Sequence, residues 1–111
     1  MSRSSAFFDL WNEQRVREAV AITTDDYWYQ DAVLGGPHDR DAHIEIMERV
    51  LAMYPNRRID INRVWEQGDV EIVEYHWTGT SIDHETLEAD WIAVVEFAGD
   101  RMKSQRHYRG A

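Results

Sequence analysis

Residues 58–80 read RIDINRVWEQGDVEIVEYHWTGT, and this stretch decides the fold. Ile59, Ile61 and, after Asn62, Val64 alternate with charged neighbours, the period-two pattern of a strand with one buried face. Gly68-Asp69 is a turn signal, and Val70 to Thr80 continues as a second strand. Towards the C-terminus, Leu87 to Phe97 is another apolar-rich run, and Gly99-Asp100 turns into Arg101 to Arg109. Strands that follow one another on short connections predict an antiparallel sheet and an α+β fold rather than a parallel one.

Towards the N-terminus the period changes. Phe7, Phe8, Leu10 and Trp11, then Val16, Val20 and Ile22, recur at spacings near three and four, which predicts helix from about Ser4 to Ile22. Ser4 or Ser5 caps its start, and Asn12-Glu13-Gln14 marks a break into two short helices. Thr23-Thr24-Asp25-Asp26 ends the helical pattern, because these side chains compete for backbone hydrogen bonds. Tyr27 to Leu34 is dense in β-formers and reads as a short strand, closed by a Gly35-Gly36-Pro37 loop. Asp39 or Asp41 caps a helix that runs to about Tyr54, with Ile44, Met47, Val50, Leu51 and Tyr54 on one stripe, and Pro55 stops it.

The chain has 111 residues, a length that suits one domain spanning 1–111. At 43% hydrophobic and 12% aromatic it is too apolar for a disordered acidic segment. Its net charge of −9 argues against a duplex-binding module, and against docking on an anionic membrane. The charge is uneven, however: residues 101–111 carry Arg101, Lys103, Arg106 and Arg109 and no carboxylate. Cysteine is absent, so disulfides and thiolate chemistry are excluded. With no signal-peptide core at Met1 to Phe8 and no membrane-length apolar window, the expected setting is soluble and cytoplasmic.

Three strings then carry a resemblance: Thr24-Asp-Asp-Tyr-Trp-Tyr-Gln-Asp31, Asp39-Arg-Asp-Ala-His-Ile44 and Arg101-Met-Lys-Ser-Gln-Arg-His-Tyr108. In order and spacing the whole chain resembles the nuclear transport factor 2-like superfamily, in particular its SnoaL-like members. Among the enzymes of that superfamily are polyketide cyclases, ketosteroid isomerases and limonene-epoxide hydrolases. The resemblance implies a cone: a curved antiparallel sheet wrapped against about three helices around an apolar pocket. It also implies a homodimer, a small lipophilic partner molecule and no cofactor.

On the same resemblance, Asp31 matches the general base of the isomerases, and Tyr29 matches a water-binding tyrosine of the hydrolases. Several positions depart from the family pattern. The Arg and Asp of a central hydrolase strand fall on Tyr75 and Trp77. A last-strand Asp falls on His107, and the isomerase oxyanion tyrosine falls on or next to Phe7. The hydrolase constellation is therefore broken, and an isomerase oxyanion hole must be built from other residues.

The candidate catalytic residues are Asp31, His107, Tyr29 and Tyr75. Asp31 is a usable base if it faces an apolar pocket, since desolvation favours the neutral acid; otherwise it is an edge carboxylate or a loop cap. His107 can exchange a proton near neutrality, or be a surface imidazole beside Arg106 and Arg109. Tyr29 and Tyr75 can each donate to a developing oxyanion. The candidate ligand-binding residues are Trp11, Trp28, Trp77 and Trp91, with Trp65 a further aromatic of the sheet; core or interface packing is the alternative for each. His76 alternates with Tyr75 and Trp77, so it faces away from them and reads as structural.

No metal site is expected. His38-Asp-Arg-Asp-Ala-His43 has ligand types but lacks the calcium-loop glycine and distal Glu, and helix capping explains its acids. Two classes of function remain: cofactor-independent proton transfer on a lipophilic carbonyl or epoxide compound, and a non-catalytic ligand-binding or dimerisation module.

Overall fold

The computed structural model describes residues 2–110; Met1 and Ala111, the ends of the expected 1–111 domain, lie outside the described residues. Helix α1 (Arg3–Asn12) is capped by the Ser2 side chain, which accepts from the Ser5 amide. Neither Ser4 nor Ser5 is the cap, because Ser4 is spent elsewhere: its amide and hydroxyl donate to Glu71 Oε1 at 3.0 and 2.6 Å. The Arg3 amide donates to the other Glu71 oxygen at 3.2 Å. A fully buried carboxylate from a distant strand thus satisfies first-turn amides that a helix cannot satisfy itself.

The expected break falls at Glu13 to Arg15, where Gln14 takes a positive φ of 67°, and α2 (Val16–Ala21) follows. Phe7, Phe8, Trp11, Val16, Ala19 and Val20 are the buried face of the pair. Each large apolar side chain moved out of water here contributes about 1.5–3 kcal/mol.

Strand β1 (Thr23–Asp31) begins four residues before the expected Tyr27. The polar start is overridden by pairing: Thr23 sits beside Met102 in the sheet, and its hydroxyl donates to Val20 O at 2.6 Å. Gly35-Gly36-Pro37, expected as a loop, lies within a short edge strand, β2 (Gly35–His38), a position that tolerates proline. A Cβ on Gly36 would meet Tyr29 O at 2.7 Å, so only glycine lets β2 approach β1 this closely. Helix α3 (Arg40–Met53) is capped by Asp39, whose carboxylate accepts from the Ala42 amide at 2.9 Å.

Strands β3 (Arg58–Gln67), β4 (Val70–Thr80), β5 (Thr86–Ala98) and β6 (Arg101–Arg109) follow. The sheet order is β2-β1-β6-β5-β4-β3. Every pair is antiparallel except β1 with β6, which is parallel. That pair corrects the antiparallel expectation: the last strand enters the centre of the sheet beside a strand that precedes it by α3 and four further strands. Such a long connection permits a parallel neighbour. Register shifts at Ile61/Arg63 and Glu96/Phe97 fit a curved sheet, and the helices close over its concave face. Tyr27, Tyr29, Val73, Tyr75, Ala93, Val95 and His107 are buried on that face.

Candidate functional site

Between the sheet and the helices lies a cavity of about 300 Å³. Its walls include Phe7, Phe8 and Trp11 from α1, His43, Ile46, Met47 and Val50 from α3, and Tyr29, Asp31, Tyr75, Trp77, Trp91, Gln105 and His107 from the sheet. All four candidate catalytic residues therefore meet at one cavity, together with three of the four candidate tryptophans. Trp28 does not: it alternates with Tyr27 and Tyr29, so it faces the other side, under the Arg106 guanidinium at 5.8 Å. Trp65 is also outside, 44% exposed and beneath Arg63. Trp11 has one face covered by the buried Arg57 guanidinium, 4.1 Å from its ring.

Asp31 and Tyr29 are two residues apart on β1 and so share a face. The Tyr29 hydroxyl donates to Asp31 Oδ2 at 2.5 Å. The other oxygen, Oδ1, accepts from the amides of Val33 and Leu34 at 2.6 and 3.1 Å. The carboxylate is therefore both a wall of the cavity and the cap of the loop beyond β1. Burial raises the Tyr29 phenol, and the neighbouring Asp31 charge adds to it, so Tyr29 keeps its proton.

His107 is the parallel-ladder partner of Asp31. Burial pushes its imidazole down to about 4, against the opposing pull of Asp31, so it is neutral at pH 7. Neither of its nitrogens is free. Nδ1 lies 2.7 Å from the Tyr75 hydroxyl and Nε2 lies 2.6 Å from Gln105 Oε1. Because the Gln105 oxygen can only accept, Nε2 carries the proton and Nδ1 accepts from Tyr75. This alters two sequence expectations. His107 is a buried acceptor rather than a ready acid, and the protons of Tyr29 and Tyr75 are committed to Asp31 and His107 rather than to an oxyanion.

The polar chain continues inward. Gln105 Nε2 donates to Tyr27 Oη at 3.0 Å, and Tyr27 meets His43 Nδ1 at 2.9 Å. The His43 ring stacks on Tyr29, 3.9 Å between centroids, and burial pushes it down to about 3. Phe7, on or next to which the resemblance sets the isomerase tyrosine, has no hydroxyl to offer and lies parallel to the His43 ring, 6.1 Å between centroids. Within the acidic cluster, Asp39 caps α3 and His38 Nε2 meets Leu34 O at 3.1 Å. Among the described residues no group of three His, Cys, Asp or Glu could hold a metal ion. His76 faces out as expected, and its bond to Asp90 at 2.7 Å, with Glu88 nearby, raises its pKa.

Residues 5–105 match the family model of the SnoaL-like domain. The chain belongs to this family. A comparison with curated proteins found no match. Solved structures share the fold at low identity. A protein of ketosteroid isomerase-like fold from Catenulispora acidiphila, solved with trimethylamine, aligns at TM-score 0.88 and 17% identity, covering 96% of this chain and 84% of its own. A cystatin-fold protein from Novosphingobium aromaticivorans aligns at 0.85 and 23%, covering 98% and 99%. An NTF2-like protein from Burkholderia pseudomallei aligns at 0.84 and 16%, covering 99% and 92%.

Within this SnoaL-like domain, sequence reasoning missed His43, Gln105 and Tyr27. His43, Met47 and Val50 are spaced four and three apart, which marks one helix face. Gln105 shares the inward parity of His107 and Tyr27 that of Tyr29. Those spacings were the available signal.

Proposed function

We propose that this SnoaL-like domain binds a small lipophilic carbonyl or epoxide compound in its cavity and moves a proton on it without a cofactor, with Asp31 as the base. The observation that carries the reading is a carboxylate set in the wall of a largely aromatic cavity, oriented by the Tyr29 hydroxyl. Such a base removes a proton next to a carbonyl; the electron pair moves onto the carbonyl oxygen, and the same carboxyl returns the proton elsewhere. Tyr75 and neutral His107 continue the polar wall beside Asp31 along the sheet, and Trp11, Trp77 and Trp91 supply flat apolar contact. Replacing Asp31 by Asn and assaying a panel of enolisable ketones and epoxides tests this. Turnover falling by roughly 10²-fold or more supports the base; unchanged turnover of any accepted substrate removes Asp31 from the mechanism.

One observation favours the second reading, a non-catalytic ligand-binding module. Three donors already engage Asp31, and two of them tie it to the loop at Val33 and Leu34. In that reading Asp31 shapes the mouth, and Asp31→Asn changes ligand affinity with no turnover to lose. Either way we propose one domain that pairs as a homodimer through the outer sheet face, where Trp65, Ile72, Ile92 and Tyr108 are exposed. No helix among the described residues is long and apolar enough to cross a membrane.

A further inference from the structure

We infer that His43 is the cavity's hydrogen-bond donor, held in that role by Gln105, and that the ligand is a lipophilic hydroxy-ketone. The direction of the buried polar chain decides it. Gln105 Nε2 lies 3.0 Å from Met102 Sδ as well as 3.0 Å from Tyr27 Oη. A thioether sulfur accepts from an amide N–H, whereas an amide oxygen turned towards it would meet only lone pairs. Met102 is 1% exposed, so no water relieves that clash. The amide is thereby fixed with its oxygen on His107 and its nitrogen on Tyr27.

From that one orientation every other proton follows. Towards β4, His107 donates from Nε2 and accepts at Nδ1, so the Tyr75 proton is spent on His107 and Tyr75 Oη offers the cavity a lone pair. Towards α3, Tyr27 Oη accepts from Gln105, and its own proton goes to His43 Nδ1. A neutral imidazole then carries its remaining proton on Nε2. That nitrogen has no hydrogen-bond partner among the described residues, although His43 is 4% exposed and lines the cavity. One hydrogen-bonded chain therefore reaches the cavity at two ends of opposite polarity: an acceptor at Tyr75 and a donor at His43.

The complementary ligand places a carbonyl oxygen on His43 Nε2–H and a hydroxyl proton on Tyr75 Oη. A neutral imidazole can polarise a carbonyl in this way without itself being an acid. This rests on the proposed reading for its chemistry. When Asp31 takes the proton next to the carbonyl, the electron pair moves to the oxygen that His43 already holds, where the N–H bond strengthens as charge develops.

The test uses the whole chain and a hydroxytetralone, a bicyclic ketone bearing a phenol. In the unliganded protein at neutral pH, long-range ¹H–¹⁵N correlation should find both His43 and His107 protonated on Nε2. Protonation of His43 on Nδ1 overturns the inference without any ligand. The infrared carbonyl stretch of bound hydroxytetralone should lie at lower frequency than in an apolar solvent. It should stay low in Tyr75→Phe and Asp31→Asn, and return towards the solvent value in His43→Phe, with binding about tenfold weaker. A low stretch that survives His43→Phe, or a probe that does not bind, overturns the assignment. Because the shift should persist in Asp31→Asn, failure of the base and failure of the donor are separable.

Discussion

The Tyr75 hydroxyl lies 2.7 Å from Nδ1 of His107, although their strands are not neighbours: β5 runs between them. The residue on β5 that pairs with His107 is Ala93, fully buried and without a side chain long enough to block the contact. Two strand spacings of about 4.8 Å are within reach of a tyrosine leaning across a methyl group. Ala93→Leu should therefore separate Tyr75 from His107 and overpack the core between them, costing about 1–3 kcal/mol in urea unfolding. Tyr75→Phe should cost about 1–3 kcal/mol, because it leaves a buried imidazole acceptor unpaired.

Glu71 links the far end of the sheet to the start of α1. Glu71→Ala orphans the Arg3 and Ser4 amides and should cost about 1–3 kcal/mol, seen as a lower unfolding midpoint. The carboxylate has its own pH dependence. Burial alone would raise it, but the hydrogen bonds from Ser4 and Arg3 outweigh burial and hold it below its ordinary value of 4.5. A carboxylate depressed in the folded state stabilises above its unfolded pKa and loses that contribution as pH falls through the folded one. Wild type should lose this increment below about pH 4.5, and Glu71→Gln should not.

His43 and His107 predict a second window. Both are held neutral by burial, with folded values near 3 and 4 against an ordinary 6.5. Between 6.5 and those values the unfolded chain binds protons that the folded chain refuses, so stability falls as the solution is acidified. The loss should begin near pH 6.5, above the carboxylate range, and be visible in urea midpoints measured from pH 7 to 4. A flat profile over that span would place the imidazoles in solvent.

The tryptophans separate by face. Trp77→Ala should weaken binding of an apolar fluorescent probe such as anilinonaphthalene by roughly 2–10-fold, the worth of one aromatic contact. Trp28→Ala, on the outer face, should leave that binding within about twofold. Equal losses in both would mean that the probe reads a surface patch rather than the cavity.

How much of this was legible in the sequence follows from the range of each interaction. Alternation from Ile59 to Val64, the Asp39 cap and the stop at Pro55 are local, and each placed its element to within a residue or two. The start of β1 at Thr23 and the existence of β2 depend on partners far along the chain, Met102 for one, which no local propensity encodes. Asp31 and His107 were reachable through family position. The direction of the chain through Gln105 was not, because it hangs on a sulfur atom three residues away that only the folded β6 brings into contact.

The central claim is that Asp31 exchanges protons with a ligand held in the cavity. Its most direct measurement is deuterium incorporation next to the carbonyl of hydroxytetralone, followed by NMR in heavy water with wild type and with Asp31→Asn. The account predicts exchange well above buffer for wild type and a loss of roughly 10²-fold or more in the variant. Equal exchange in the two proteins, or none above buffer in either, would contradict it.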